Sequence, residues 1–405
     1  MHDVNFIVRE PLLDPKQKVV GYELAWQKKG KDVAEPTADE LEALVGFVAG
    51  QLNDEEHGWL LRDKILFLDA VPALLSTDAL YAMPTEFTVL TLTRRDLANE
   101  DTLAAVRGLR AGGIGICLRG ADLAKLDANL IPDLSYIEVR FAADVNVAAQ
   151  AKMYAALKHS AVRMVGRPVN TWEDYDACAA LGLDAFVGKL HLTPRPSSNP
   201  KGMNPAQATI LQLMDLVNKN EDIKKIEDVL KRDPTLSYKL LRYINSAGFG
   251  LRREVESLKQ ALVMMGYTPL YRWLSVLLAT ASTSGYSPVL METAIIRGRL
   301  TELLGERHLP KGTSENLFVT GMFSLLDRLL GVPMDEVLKT VQLPKAVCEA
   351  LLTRGGEYGP YLALAEACEL SSDLVGSIAA NLHISPEEVN IAHLSSLAWA
   401  QSIGM

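Results

Sequence analysis

The chain has 405 residues, a formal net charge of −9 and a pI near 5.4, a balance that argues against a protein built to coat nucleic acid or an anionic membrane. Hydrophobic residues at 48% and charged residues at 22% describe ordinary folded material. At roughly 100–200 residues per domain, the length implies two or three domains, each able to bury its own core.

Taken in order, residues 5–191 alternate strand-like and helix-like segments. The strand candidates are VVGYEL (19–24), ILFLDAV (65–71), FTVLTLT (87–93), GIGICL (113–118), YIEVRF (136–141), VRMVG (162–166) and AFVGKL (185–190). Between them lie helical patterns such as DELEALVGFVAGQLN, EDTLAAVRGLRAG, NVAAQAKMYAALKHS and TWEDYDACAALG. Such alternation implies a parallel sheet covered by helices, with a βα barrel as the natural closure. TPRPSSNPKGMNP (193–205), dense in Pro, Ser, Gly and Asn, reads as a hinge. Everything after it has helical period. The expected organisation is therefore an α/β TIM-like barrel over 1–194, a linker over 195–204 and an all-α bundle over 205–405.

The stretch from Asp222 to Met265 spells out three short helices. Ile223, Ile226, Val229 and Leu230 share a face of the first, and Asp233-Pro234 caps and opens the second. Leu236, Leu240, Leu241 and Ile244 turn the second inward; Asn245 to Gly250 ends it. Ser257 with Gln260 offers a capping box for the third, which Gly266 stops.

The four cysteines, Cys117, Cys178, Cys348 and Cys368, are scattered without a CxxC pair and read as buried thiols in a reducing compartment. The N-terminus lacks the basic start and apolar run of a signal peptide, and the longest apolar segment, near Trp273 to Ala281, falls short of the roughly 20 residues of a membrane span. A cytoplasmic location is expected. GGIGIC (112–117) lacks the rest of a dinucleotide fingerprint and reads as a strand start; no GxSxG is present, and His159-Ser160 has no acid partner in sequence. The literal His2-Asp3 pair is taken as chance. His308, His383 and His393 are assigned surface or capping roles, Asp327 a helix-surface or capping role, and Tyr267, Tyr271 and Trp273 a packing role.

The succession DPTLSYKLLRYINSAGFG, a charged spacer, then SLKQALVMMG resembles the HDOD domain, a helical relative of the HD-type metal phosphohydrolases. The opening FIVREPLLDPKQKVVGYELAWQ resembles the start of EAL domains, in the branch that carries an HDOD domain behind the barrel. Active EAL barrels hydrolyse cyclic di-GMP with two divalent metals, which need hard oxygen ligands at the C-terminal ends of several strands. The resemblance places Glu23 at the signature Glu, Asp69 at a ligand Asn, and Thr91 at an acidic ligand. It sets Arg119 and Gly120 at a pair of aspartates, Glu138 at the catalytic Lys, and Arg140 at the following Asp. Arg167 and Asn170 stand at two glutamates, and Val187 at a Gln. In the helical half, the HD pair falls on Ser324 and Leu325, neither of which replaces a His-Asp ligand pair.

Each lost carboxylate removes charge that offsets a dication's desolvation, and each added arginine opposes it. The reading is a non-catalytic, bacterial signal-transduction protein with no cofactor, acting through protein–protein contacts with regulators such as diguanylate cyclases, response regulators or kinases. Arg119 and Arg167 are expected to pair with Glu23, Asp69 or Glu138 and plug the barrel mouth, and two alternatives to this reading stay open. One is a receptor that binds cyclic di-GMP or another nucleotide without cleavage through Arg119 and Arg167, whose forks suit phosphate. The other is a residual phosphodiesterase.

Overall fold

The structure is a computed structural model and describes residues 5–27, 36–121, 126–140, 154–155, 157–192, 205–245, 255, 257–280, 288–310, 313–330, 332–340 and 343–402. Eight strands close into one barrel: β1 (Ile7–Leu13), β2 (Val19–Trp26), β3 (Ile65–Asp69), β4 (Thr88–Leu92), β5 (Gly115–Leu118), β6 (Tyr136–Arg140), β7 (Arg163–Arg167) and β8 (Ala185–Val187). β2 to β8 run parallel in sequence order, whereas β1 is antiparallel to both β2 and β8 and closes the ring. β1 is the strand that period-2 reading misses. Its IVREPLL interrupts apolar alternation with Arg9, Glu10 and Pro11, because it has demanding neighbours on both faces.

The alternation along each strand sorts the side chains. Leu12, Phe67, Val89, Cys117, Tyr136, Val165, Ala185 and Val187 form a closed apolar cluster that fills the barrel interior. The Phe67 and Tyr136 rings meet edge to face at 4.9 Å. Outside the ring, α1 (Ala38–Leu52), α2 (Glu100–Ala111) and α3 (Trp172–Leu181) begin where the sequence placed them, capped by Thr37, Asn99 and Thr171. The NVAAQAKMYAALKHS pattern and the 195–204 linker lie mostly or wholly outside the described residues.

The second half is helical: α4 (Pro205–Asn218), α5 (Ile223–Leu230), α6 (Pro234–Ile244), α7 (Leu258–Met265), α8 (Tyr267–Thr280), α9 (Pro288–Gly305), α10 (Ser314–Phe323), α11 (Lys345–Thr353), α12 (Gly359–Leu370), α13 (Val375–Asn381) and α14 (Pro386–Ser402). Asp233 accepts from the amides of Thr235 and Leu236, and Ser257 accepts from that of Gln260, as the punctuation of this stretch requires. Gly266 ends α7 at φ +74°, a region that favours glycine. ENLFVTGMFSLLDRLLG does not form the single helix its pattern suggests. It breaks after Phe323 and resumes at Leu326, with Ser324 Oγ donating to the Gly321 carbonyl at 2.6 Å.

The two halves share one apolar core. α12 and α14 pack against the outer face of β1 and against α1, so part of the barrel is covered by the helical half. Asn390 on α14, fully buried, acts as a substitute strand neighbour: its Oδ1 accepts the Ile7 amide at 2.8 Å and its Nδ2 donates to the Asn5 carbonyl at 2.9 Å. On the rim of the barrel mouth, Lys189 donates to the Leu370 carbonyl at 2.6 Å and Gln27 to that of Ser372. Whatever the linker does, the described halves are docked.

Cys117, Cys178 and Cys368 are buried, and Cys348 is half-buried; all four are free thiols. Burial pushes the Cys178 and Cys368 thiols up to about 12. No helix among the described residues is long and apolar enough to cross a membrane.

Candidate functional site

Counting by two along the strands from the apolar plug brings a ring of polar residues to the C-terminal mouth. β2 delivers Glu23, β3 Asp69, β4 Thr91, β6 Glu138 and β7 Arg167, and Arg119 follows the last residue of β5. The Arg119 amide donates to the Leu92 carbonyl at 2.8 Å, and the Ala121 amide to that of Glu138 at 3.0 Å, which fixes this turn between β4 and β6. Gly120 sits in the turn at φ +59°, where an aspartate would be strained.

Two guanidinium groups fill the mouth. Arg119 Nη2 donates to Glu23 Oε1 at 2.8 Å, its Nη1 lies 2.7 Å from Asp69 Oδ1, and its Nε lies 3.5 Å from Glu138 Oε2. Arg167 Nη2 donates to Glu23 Oε2 and, at 2.9 Å, to Glu10 Oε2; its Nε lies 3.8 Å from Glu138 Oε2. Glu10 is a mouth residue that sequence reasoning missed. It stands directly across from Glu23 in the β1–β2 register, and identifying β1 as a strand would have exposed it.

Four described carboxylates thus face two described guanidiniums. Burial is the main reason Glu23 is pushed up to about 7; Arg167 and Arg119 oppose that shift, and Asp69 and Glu138 add to it. Burial works to lower the pKa of Arg119, but Glu23, Asp69 and Glu138 outweigh it and hold the guanidinium charged. The mouth relieves part of its excess negative charge by holding a proton on Glu23 near neutral pH.

The remaining positions scatter. Thr91 is buried in the ring beside Cys117. Val187 belongs to the apolar plug. Asn170 leaves the ring and accepts the Lys189 amide at 3.0 Å, tying two strand exits together. Arg140 pairs through its backbone with Arg167, and its side chain lies outside the described residues. This donor set does not fit two metals. Arginine nitrogens already occupy the positions beside the carboxylates, and Thr91 and Val187 add no charge. No group of three or more His, Cys, Asp or Glu side chains among the described residues is arranged to hold a metal.

The helical half repeats the pattern. Ser324, at the HD position, accepts a hydrogen bond from Arg297 Nη1 at 2.8 Å. Arg297 is buried and forks onto Glu369 (Nε to Oε2 2.9 Å, Nη2 to Oε1 2.8 Å), with Glu366 Oε1 at 3.2 Å from Nη1. Asp327 lies half-buried in the first turn of the helix that resumes at Leu326, and its charge adds to those of Glu369 and Glu366 in keeping Arg297 protonated against burial. Leu325 is buried in the core. His393 also departs from its expected surface role. It is fully buried on α14 with neither ring nitrogen hydrogen-bonded, and burial together with nearby Arg9 depresses it to about 3. His308 and His383 are exposed, as expected. Trp273 is buried and stacks on Tyr243, while the Tyr267 hydroxyl donates to the Glu221 carbonyl.

Comparison with known proteins follows the same division. Residues 203–329 match the family model for the HDOD domain. Over 98% of both chains this protein is 25% identical to the uncharacterized protein YuxH of Bacillus subtilis. It is 23% identical to the cyclic di-GMP phosphodiesterase CdgJ of Vibrio cholerae, over 98% of this chain and 93% of that one. Among solved structures it is similar to the PaMucR phosphodiesterase in complex with c-di-GMP (15% identity, 48% of this chain and 93% of that one, TM-score 0.38). It is also similar to an EAL domain protein from Listeria monocytogenes (13% identity, 46% and 87%, TM-score 0.37). The chain is an eight-stranded barrel followed by a helical half, whose residues 203–329 match the HDOD domain.

Proposed function

We propose that this chain is a non-catalytic member of a cyclic di-GMP signalling system, acting through protein–protein contacts rather than by hydrolysing the nucleotide. The observation that carries this reading is the Arg119 guanidinium, held among Glu23, Asp69 and Glu138 where a phosphodiesterase of this architecture would need dications. A fixed monovalent cation occupies the space between these carboxylates. It offers no open coordination position and cannot acidify a bound water. The helical half supports the same reading, since the HD pair falls on Ser324 and Leu325, and Arg297 holds Ser324 there. The name of the relative CdgJ pulls toward an enzyme, at 23% identity.

The receptor alternative loses ground on the same geometry. Phosphate recognition needs free guanidinium forks, and both mouth arginines are engaged by carboxylates that outnumber them. The deciding experiment is calorimetry of the full chain with cyclic di-GMP in the presence of Mg²⁺ or Mn²⁺, followed by a product assay on the same sample. Neither heat nor product is expected. Turnover would overturn the reading, and binding without turnover would replace it with a receptor. With both absent, the search moves to capture of diguanylate cyclases, response regulators or kinases as partners.

A further inference from the structure

The β1–β2 hairpin has a different arginine–carboxylate network on each face. Strand pleating sends alternate side chains to opposite sides, so neighbours in sequence serve different networks. Glu10 and Glu23 point into the mouth and hold Arg167. Arg9 and Tyr22, one residue away on each strand, point outward into the helical half. The Tyr22 hydroxyl donates to the carboxylate of Glu292 on α9, which Gln401 on α14 also holds at 2.9 Å.

Arg9 is buried in the junction and lines a small cleft with Tyr22, Glu292 and Glu369, its Nη1 without a hydrogen-bond partner. Glu369 in turn is gripped by Arg297, which reaches Ser324. The mouth pairs of Glu10 and Glu23 therefore lie on one face of the hairpin, and on its other face Arg9 and Tyr22 share a cleft with Glu369, the carboxylate that Arg297 grips beside Ser324. Both strands are pinned at the hairpin's open end, β1 by Asn390 on Asn5 and Ile7 and β2 by Gln27 on Ser372.

We propose that the β1–β2 hairpin mechanically couples the two halves: an event that displaces the hairpin's own mouth carboxylates, Glu10 and Glu23, shifts how the helical half holds Arg297, and the reverse. The physical basis is packing. A strand buried on both faces cannot move a side chain on one face by a backbone shift without moving those on the other, and a close-packed surround transmits that shift rather than absorbing it. The coupling is reciprocal by thermodynamic necessity. It is independent of whether the mouth binds a nucleotide, a protein or nothing.

The test compares two conservative lesions in the same mouth network of the full chain. Glu10→Gln lies on the hairpin, and Asp69→Asn lies on β3; each weakens one arginine contact. Amide hydrogen exchange is followed in α9 and α12. Glu10→Gln is expected to change exchange there by about threefold or more, while Asp69→Asn, compared after matching global stability, leaves it within about 1.5-fold. The reciprocal arm is a double-mutant cycle of Glu10→Gln with Arg297→Lys, expected to depart from additivity by about fivefold or more in the unfolding equilibrium constant. Equal exchange responses to the two mouth variants, or additivity within about twofold in the cycle, would overturn the proposal. Glu10→Asp, which keeps the charge and shortens its reach, serves in place of Glu10→Gln if that variant does not fold.

Discussion

Replacing Arg119 by methionine keeps the aliphatic stem and removes the cation on which three mouth carboxylates converge. Glu23 and Asp69 lie at 2.8 and 2.7 Å and Glu138 at 3.5 Å, so the variant leaves them facing one another with Arg167 as the remaining described cation. Removing one member of a buried ion pair costs about 3–5 kcal/mol. The Arg119 side chain is 29% exposed, so water screens part of that loss and about 2–3 kcal/mol is expected at pH 8. The dependence on pH has a definite sign. Glu23 already sits at about 7 with Arg119 present, above the roughly 4.3 of an unfolded chain. A carboxyl with a raised folded value contributes stability that is fully present below the unfolded value and lost as pH rises through the folded one. Without Arg119 the Glu23 carboxyl rises further, so the variant recovers on acidification and the deficit shrinks to about 1 kcal/mol at pH 5. Urea titration of both proteins at the two pH values measures it. A deficit below about 0.5 kcal/mol at pH 8, or one equal at both pH values, would refute the electrostatic account of the mouth.

Three further outcomes follow from the helical half and its junction with the barrel. Arg297→Met strands Glu369 in a buried site and should cost about 3–5 kcal/mol; adding Glu369→Leu should restore much of that loss in urea titrations. His393→Leu removes two buried nitrogens that make no hydrogen bond. Because the folded value near 3 lies below the unfolded one near 6.5, the stability tied to a neutral His393 is full above about pH 6.5 and falls by about 1 kcal/mol per unit toward pH 3; the variant should lose that slope in thermal or urea stability profiles. Asn390→Ala leaves the Ile7 amide and the Asn5 carbonyl without their partner and should cost about 2–3 kcal/mol, with faster exchange at the start of β1; unchanged exchange there would show that Asn390 does not hold the strand.

Much of the architecture is legible in sequence because it is written in local chemistry. Period-2 runs such as ILFLD and FTVLTL specify strands, Asp233-Pro234 and Ser257 specify helix starts, and the seven barrel strands after β1 have ends within three residues of their expected positions. The eighth strand was hidden because Arg9, Glu10 and Pro11 are explained by contacts more than a hundred residues away in sequence.

Most of the mouth residues can be named from the chain alone, Glu23, Asp69, Thr91, Arg119, Glu138 and Arg167 among them, although Glu10 is not. Their pairing is an expectation in sequence and a distance only in the fold. Whether Arg119 is a free anion-binding fork or an internal counter-ion depends on distances between strand ends set by barrel closure, and closure gives it three carboxylates. The same holds for His393, whose segment reads in sequence only as helical in period yet meets β1 from the other half of the chain. Sequence fixes propensity, punctuation and the charge each position carries. Burial and pairing are long-range sums over neighbours that only the folded chain brings together, and in this protein those sums decide the charge state of the barrel mouth and of the Arg297 cluster.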